Sequence, residues 1–155
     1  MHNMDRQSTE IRQEQIKQAV LEIIYTDGLK SLSTRNLAKR IGLSEGSIFR
    51  HFDSKQDIIL AIIKDVQNDF IGSLRAIANS NQQPNERLGE FLCQTVKYLI
   101  KNKGITMLMF SEFSHNNDIE LKNILFQIFN NQKKLVSKII LDGIAQGIWD
   151  ESIPV

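Results

Sequence analysis

The sequence is poor in the residues that cross-link or interrupt a chain. Its 155 residues include one cysteine, Cys93, and two prolines, Pro84 and Pro154. A single cysteine cannot close a disulfide within the chain, which suits a reducing compartment. No apolar run approaches the roughly 18 residues that a membrane span requires, and residues 1–7 are too polar for a signal peptide. We therefore expect a cytoplasmic protein that does not contact a membrane.

An excess of charge of either sign is also missing. The chain carries 19 lysines and arginines against 18 aspartates and glutamates, a formal net charge of +1. Residues 1–56 hold nine basic and seven acidic side chains, and residues 57–155 hold ten and eleven. Overall charge therefore does not identify a nucleic-acid-binding protein, and a DNA-binding face would need its positive charge gathered locally.

The common motifs of catalysis and metal binding are absent as well. The three histidines, His2, His51 and His115, lie far apart in different segments. We find no histidine pair at metal-ligand spacing, no glycine-rich loop for a phosphate and no nucleophile elbow. The sequence therefore predicts a protein that is not an enzyme and that holds no cofactor and no metal.

Apolar residues at helical spacing dominate what is present. Strand-like alternation is almost absent, and the apolar stripes are separated by glycines, polar breaks and capping residues such as Ser44 and either Ser33 or Thr34. The fold class that this pattern predicts is all-α. The predicted helices are 9–26, 34–41, 45–51, 55–79, 85–101, 105–113 and 117–146.

Three residues in the second and third predicted helices have the spacing of a helix-turn-helix. Ala38 is small, so a second helix can approach the first. Gly42 follows four residues later, where the turn is expected to need a positive φ. Ile48 follows after six more residues and points back into the core. The second helix of such a pair inserts into the major groove of DNA.

A longer signature surrounds this pattern. It consists, in order, of Ile16–Ala19, Thr26–Gly28, Ser33–Ala38, Gly42–Phe52 and Lys55. Together these segments closely resemble the N-terminal signature of the TetR (tetracycline-repressor-like) family of bacterial transcription regulators. The resemblance covers roughly the first 60 residues, and the remainder is similar to the family only in being helical.

The resemblance implies both a domain organisation and a mechanism. Residues 1–56 would form a three-helix DNA-binding head with a helix-turn-helix, and residues 57–155 a helical ligand-binding and dimerisation domain. Family members are usually homodimers that bind a near-palindromic operator in double-stranded DNA. A ligand in the second domain moves the long fourth helix and spreads the two heads. We therefore expect a ligand-responsive regulator, in the first instance a repressor.

Ten residues are candidates for DNA contact under this resemblance. Arg50 could bond a base edge or a phosphate through two parallel hydrogen bonds. Residues at helix N-termini, where backbone amides favour phosphate, are further candidates, and serine hydroxyls could also donate to phosphate. The complete set is Thr34, Arg35, Ser44, Glu45, Gly46, Ser47, Phe49, Arg50, His51 and Lys55.

Several of these residues have a second interpretation. Glu45 either accepts from a cytosine amino group or only satisfies the dipole of the helix N-terminus. Gly46 either lets the DNA approach closely or marks a loose helix start, and Ser44 caps the helix whether or not it also donates to phosphate. Phe49 stands where many family members have tyrosine, so a contact with a thymine methyl replaces the usual phosphate bond. His51 either pairs with phosphate or packs in the head.

Large apolar side chains in residues 57–155 suggest a pocket for a hydrophobic small-molecule effector. The alternative is that the same side chains form an ordinary core. The candidate pocket residues are Phe91, Thr95, Leu99, Met107, Phe110, Phe113 and Phe129.

The end of the sequence bears on dimerisation. The family commonly continues through two further helices that form the dimer interface, and we expect this chain, which stops at Val155, to lack them. Either this chain is truncated or it dimerises differently, and we expect it to dimerise weakly on its own. Another candidate interface is a seam on the last predicted helix, formed by Leu121, Leu125, Ile128, Leu135 and Ile139.

Two other functions remain open at this point. One is a DNA-binding factor without ligand control that organises chromosomal DNA. The other is a helical adaptor whose head no longer binds DNA.

Overall fold

The structure is a computed structural model that describes the backbone of residues 2–115 and 118–155 and the side chains of residues 9–115 and 118–155. The described residues form helices and no strand, which confirms the all-α prediction. No described helix combines the length and the hydropathy needed to cross a bilayer. The elements are α1 (His2–Asp27), a 3-10 turn (Leu29–Ser31), α2 (Thr34–Ile41), α3 (Glu45–Ile48), α4 (Lys55–Asp65), a π turn (Val66–Phe70), α5 (Ile71–Ala78), α6 (Pro84–Lys101), α7 (Ile105–His115) and α8 (Ile119–Ala145).

The helix ends differ from the predicted ones at several places. α1 begins at His2 rather than at residue 9. Its first turns are mostly polar and carry no apolar stripe, so the apolar spacing did not predict them. The predicted start of the last helix at residue 117 lies outside the described residues. Asp118 caps α8 instead, since its carboxylate accepts from the amide of Leu121 at 3.2 Å.

The predicted helix over residues 55–79 contains one turn that is not α-helical. In the π turn the N–H of Ile71 bonds to the C=O of Val66, five residues back instead of four. The segment therefore contains one residue more than an uninterrupted α-helix would need. Phe70 and Ile71, at the end of this turn, are both buried.

The chain divides into two compact units. The head unit comprises Met1–Ile63 and Asn102–Asn117, and the body unit comprises Lys64–Lys101 and Asp118–Val155. The head core includes apolar residues of α1, α2, α3, α4 and α7. Each fully buried aliphatic side chain contributes about 1.5–3 kcal/mol through removal from water. The most deeply buried head residues include Ile16, Val20, Ile24, Leu37, Ile48, Ile58 and Leu108.

Within the head unit, α7 packs on α1 through a close backbone approach at Gly104. Gly104 has a φ of 90°, and a Cβ at this position would lie 2.4 Å from the carbonyl oxygen of Leu21. Beside it, Gln18 Nε2 donates to Asn102 Oδ1 at 3.3 Å, and Lys103 Nζ lies 5.2 Å from the centre of the Tyr25 ring. Residues 102–104 therefore pack directly against α1.

The core of the body unit lies between α5, α6 and α8. Four of the five seam residues of α8 are buried there, namely Leu121, Leu125, Ile128 and Ile139. The expectation that this seam is a free dimer interface is therefore wrong, because the chain uses it for its own packing. At the tip of the unit, Trp149 covers Gly143 so closely that a Cβ on Gly143 would overlap its ring.

A buried arginine joins α6 to α8 within the body unit. Arg87 is only 4% exposed, and its Nη1 donates to the carbonyl of Ala78 at 2.8 Å and to Asp142 Oδ2 at 2.9 Å. Lys138 Nζ also bonds Asp142 Oδ2, at 3.0 Å. The hydrogen bonds from Lys138 and Arg87 hold the pKa of Asp142 below its ordinary value of 3.8.

We predict that Asp142→Asn lowers the free energy of unfolding near pH 7 by about 1–2 kcal/mol, because buried Arg87 loses its charged partner. The stabilisation from a lowered carboxyl pKa is present above the ordinary pKa and disappears as the pH falls through the folded-state value. Urea unfolding measured from about pH 7 down to about pH 2.5 should therefore show the free energies of unfolding of the variant and the unchanged chain becoming equal at the lowest pH. The exposed Glu90→Gln in α6 is the control, and an equal loss at both pH extremes would contradict the prediction.

Candidate nucleic-acid interface

The first helix of the helix-turn-helix is fixed at both ends by its sequence. Ser33 has an extended backbone, and its hydroxyl accepts from the amide of Asn36 at 3.1 Å, so Ser33 rather than Thr34 is the cap. Gly42 ends α2 in the left-handed conformation, with a φ of 68°. The turn thus requires glycine at the position where the sequence predicted it.

The second helix, α3, is shorter than predicted. Ser44 caps it by accepting from the amide of Ser47 at 3.1 Å. The helix ends at Ile48, and His51 N then bonds the carbonyl of Ile48, three residues back, at 2.9 Å. This tighter bond pattern turns residues 49–51 out of the α-helix, so the prediction of a helix to residue 51 is wrong. Ile48 is fully buried and anchors α3 in the head core.

The ten candidate DNA-contact residues all lie in the head unit. Seven are exposed, and three, Thr34, Ser47 and His51, are half-buried. The exposed ones include the large apolar side chain of Phe49, at 45% exposure. The seven are Arg35, Ser44, Glu45, Gly46, Phe49, Arg50 and Lys55.

The structure brings the first residues of α2 and α3 together. Thr34 Oγ1 donates to Glu45 Oε2 at 2.8 Å. Glu45 therefore lies beside the N-terminus of its own helix and bonds to the first residue of α2, a position that favours a carboxylate. The Thr34 hydroxyl has a single proton, so in this geometry it does not donate to a phosphate.

Two further side chains of the head form an ion pair or a hydrogen bond that the sequence did not indicate. Arg40 pairs with Asp27 and lies 3.8 Å from a carboxylate oxygen of Glu22. Gln13 Nε2 in α1 donates to the carbonyl of His51 at 3.0 Å. No local sequence signal marks Gln13, because the bond joins residues 38 positions apart.

One nitrogen of the His51 imidazole faces the interior of the head. Its Nδ1 is buried and has no hydrogen-bond partner within the described part of the chain. This arrangement favours the packing interpretation of His51 over a phosphate contact through Nδ1.

The seven candidate pocket residues do not fall into one compact unit. Phe91 is buried in the body unit, and the hydroxyl of Thr95 donates to its carbonyl at 2.8 Å. Leu99 and Phe129, also in the body unit, are 43% and 46% exposed. The other three belong to α7 of the head unit and are exposed, namely Met107, Phe110 and Phe113.

The body unit also holds a polar and aromatic cluster that the sequence did not single out. The rings of Phe70 and Tyr98 stack with their centres 4.2 Å apart. Ser73 Oγ donates to the carbonyl of Phe70 at 2.7 Å and accepts from Gln94 Nε2 at 3.3 Å. These contacts join the π turn to α6. Over the residues that the structure describes, no group of three or more His, Cys, Asp or Glu side chains could hold a metal ion.

The head matches a known family in sequence. The family model described as bacterial regulatory proteins, tetR family, matches residues 16–62. The nucleoid occlusion factor SlmA of Actinobacillus pleuropneumoniae is 25% identical over 128 residues, which cover 82% of this chain and 63% of that relative. This chain thus spans less than two thirds of that relative's length.

Solved structures share the fold. The TetR family transcriptional regulator PfmR from Thermus thermophilus superposes with a TM-score of 0.76 at 20% identity, covering 89% of this chain and 75% of that one. The transcriptional regulator FadR from Bacillus subtilis, in complex with stearoyl-CoA, gives a TM-score of 0.63 at 21% identity, covering 91% and 75%. The capped α2 and α3 and the glycine turn between them lie within residues 16–62, the segment that matches the model of the tetR family of bacterial regulatory proteins.

Proposed function

We propose that this chain is a DNA-binding transcriptional regulator whose α3 enters the major groove. The observation that carries the proposal is the pair α2 and α3, which Gly42 joins and which is followed directly by Phe49 and Arg50, both exposed to solvent. In this proposal residues 1–56 are the DNA-binding domain, and residues 57–155 bind a ligand and dimerise. The protein acts on chromosomal DNA in the cytoplasm.

The contact residues divide into three groups. Arg50 and Phe49 lie after the N-terminal turn of α3 and are placed to reach base edges, where an arginine bonds guanine and an aromatic ring contacts the thymine methyl. Arg35 and Lys55 stand in the first turns of α2 and α4 and bind phosphate. Ser44, Gly46 and Ser47 allow the backbone of α3 to approach the DNA.

Regulation would follow from dimerisation. Two heads of a helix-turn-helix dimer read half-sites about 34–36 Å apart, or a multiple of that distance. An effector that changes the separation of the heads therefore weakens operator binding, which is the behaviour of a ligand-responsive repressor. A palindromic operator is the expected target, because the symmetry of the dimer is repeated in the DNA.

The effector is proposed to be a hydrophobic small molecule. Support comes from the large exposed apolar side chains on α6 and α8, including Leu99 and Phe129, and from the stearoyl-CoA bound to the structurally similar FadR. Stearoyl-CoA is accordingly the first probe to use.

A DNA-organising role without ligand control is the second candidate function. It is favoured by the similarity to SlmA, which is a nucleoid occlusion factor. The two functions differ in where the protein binds the chromosome. A regulator occupies few sites, next to promoters, whereas an organiser occupies many scattered sites.

One experiment separates these functions. Gel-shift titrations would use the DNA upstream of the chain's own gene, with and without stearoyl-CoA, alongside a genome-wide map of binding sites. The regulator is expected to shift the upstream fragment specifically, with a steep dependence on salt, and to release it with a hydrophobic ligand. Scattered sites without ligand response would select the organiser. Absence of a specific shift together with a genome-wide map that shows no binding sites would contradict both and favour an adaptor without DNA binding.

A further inference from the structure

The helix that would read DNA is too short to hold its own orientation. α3 consists of four residues, Glu45–Ile48. An isolated helix of this length does not form in water, because its nucleation is not repaid by enough hydrogen bonds. Ile48, the last residue of α3, is buried in the core, and side chains from two other helices bond the residues on either side of it.

The first end is held from α2. Thr34, the first residue of α2, donates its hydroxyl proton to Glu45, the first residue of α3, at 2.8 Å. This bond spans the turn between the two helices. In the structure the Thr34 hydroxyl therefore bonds Glu45, and its proton is not available for a phosphate.

The second end is held from α1. Gln13 Nε2 donates to the carbonyl of His51 at 3.0 Å, in a partly buried position. His51 closes the turn that follows α3, through its own amide bond to Ile48. The amide of Gln13 therefore fixes the point where the chain leaves the reading helix.

We infer that Thr34 and Gln13 are positioning residues that hold α3 at both ends and thereby set its sequence discrimination on DNA. The inference rests on the proposed DNA-binding function. We call the Thr34–Glu45 and Gln13–His51 bonds the two tethers. Neither residue needs to touch a base.

The tethers act on discrimination rather than on general affinity. General affinity comes from charged contacts to phosphate, which tolerate small shifts of a flexible lysine or arginine. A bidentate bond to a base edge requires its side chain to be placed within about 0.5 Å. Because both donors are uncharged, loss of a tether leaves the dependence of binding on salt unchanged.

The test uses matched variants of the full chain. Thr34→Val removes the donor and keeps the shape, whereas Thr34→Ser keeps the donor. Gln13→Met removes the second donor at similar length. Thr26→Val is the control, since Thr26 is an exposed threonine of α1 whose hydroxyl donates to the carbonyl of Glu22.

The DNA readout is enrichment from a random-sequence duplex pool, compared with affinity for unenriched duplex across a salt series. We expect Thr34→Val and Gln13→Met to lose roughly 3- to 10-fold in the ratio of specific to non-specific affinity, the loss that one hydrogen bond accounts for. Thr34→Ser and Thr26→Val should match the unchanged chain. An equal loss on every sequence would mean that Thr34 contacts phosphate and would overturn the inference, as would unchanged enrichment.

Amide hydrogen exchange on the free chain gives a readout without DNA. Exchange over residues 45–51 should become faster in Thr34→Val and Gln13→Met, while residues 16–24 of α1 keep their protection. If the unchanged chain enriches no sequence, the proposed DNA-binding function fails, and exchange alone then decides on the tethers. Unaltered exchange over residues 45–51 in both variants would overturn the inference that the two tethers hold α3.

Discussion

The Arg50→Glu variant is expected to bind specific DNA roughly 10- to 100-fold more weakly than the unchanged chain. Arg50 follows the last turn of α3 and is exposed. In the part of the chain that the structure describes, its side chain forms no hydrogen bond or ion pair, so its replacement should leave folding intact. A glutamate there removes a donor to DNA and adds repulsion from phosphate. Fluorescence anisotropy with a duplex enriched from a random pool measures the change.

The matched control is Arg75→Glu, the same change at an exposed arginine of α5 in the body unit. It alters net charge equally but lies outside the proposed interface. Equal losses in the two variants would show that overall charge, and not the position of Arg50, accounts for binding. No loss in Arg50→Glu would remove this residue from the proposed interface.

The Gly104→Ala variant is expected to lower the free energy of unfolding by about 2–5 kcal/mol. Placing alanine at a φ of 90° costs about 1–2 kcal/mol. The new Cβ would also lie 2.4 Å from the carbonyl oxygen of Leu21, a backbone atom that cannot rotate away, and such overpacking costs about 1–3 kcal/mol. Thermal unfolding followed by circular dichroism would then show a midpoint lower by roughly 5–15 °C.

Gly89→Ala in α6 is the control for this substitution. Gly89 has no heavy atom within 4 Å of its would-be Cβ and no positive φ, so alanine should stabilise the helix by about 0.5–1 kcal/mol. The two alanines are thus predicted to shift stability in opposite directions. A Gly104→Ala chain as stable as the unchanged one would contradict the close packing of α7 on α1.

The sequence was sufficient to predict structural features that depend on residues close together in the chain. Ser44 caps α3, and Gly42 takes a positive φ, because these properties follow from the chemistry of a short stretch. The apolar spacing likewise predicted the helices and the buried Ile48. These local features were also what carried the resemblance to the family.

The features that the sequence did not reveal depend on contacts between distant residues. The bond from Gln13 to His51 spans 38 positions, and the approach of Gly104 to Leu21 joins α7 to α1. Neither leaves a periodic signal in the chain. The interior position of the seam on α8 was missed for the same reason, since an apolar stripe looks alike whether its own chain or a second copy covers it.

The π turn affects how this chain is compared with its relatives. Between Lys55 and Ala78 the backbone accommodates one residue beyond the count of a regular helix, and it does so only over Val66–Phe70. Against a relative whose corresponding helix is α throughout, a single-residue gap therefore belongs inside these five positions. An alignment without that gap would pair every residue of α5 with a neighbour about 100° away around the helix, and it would compare buried positions with exposed ones.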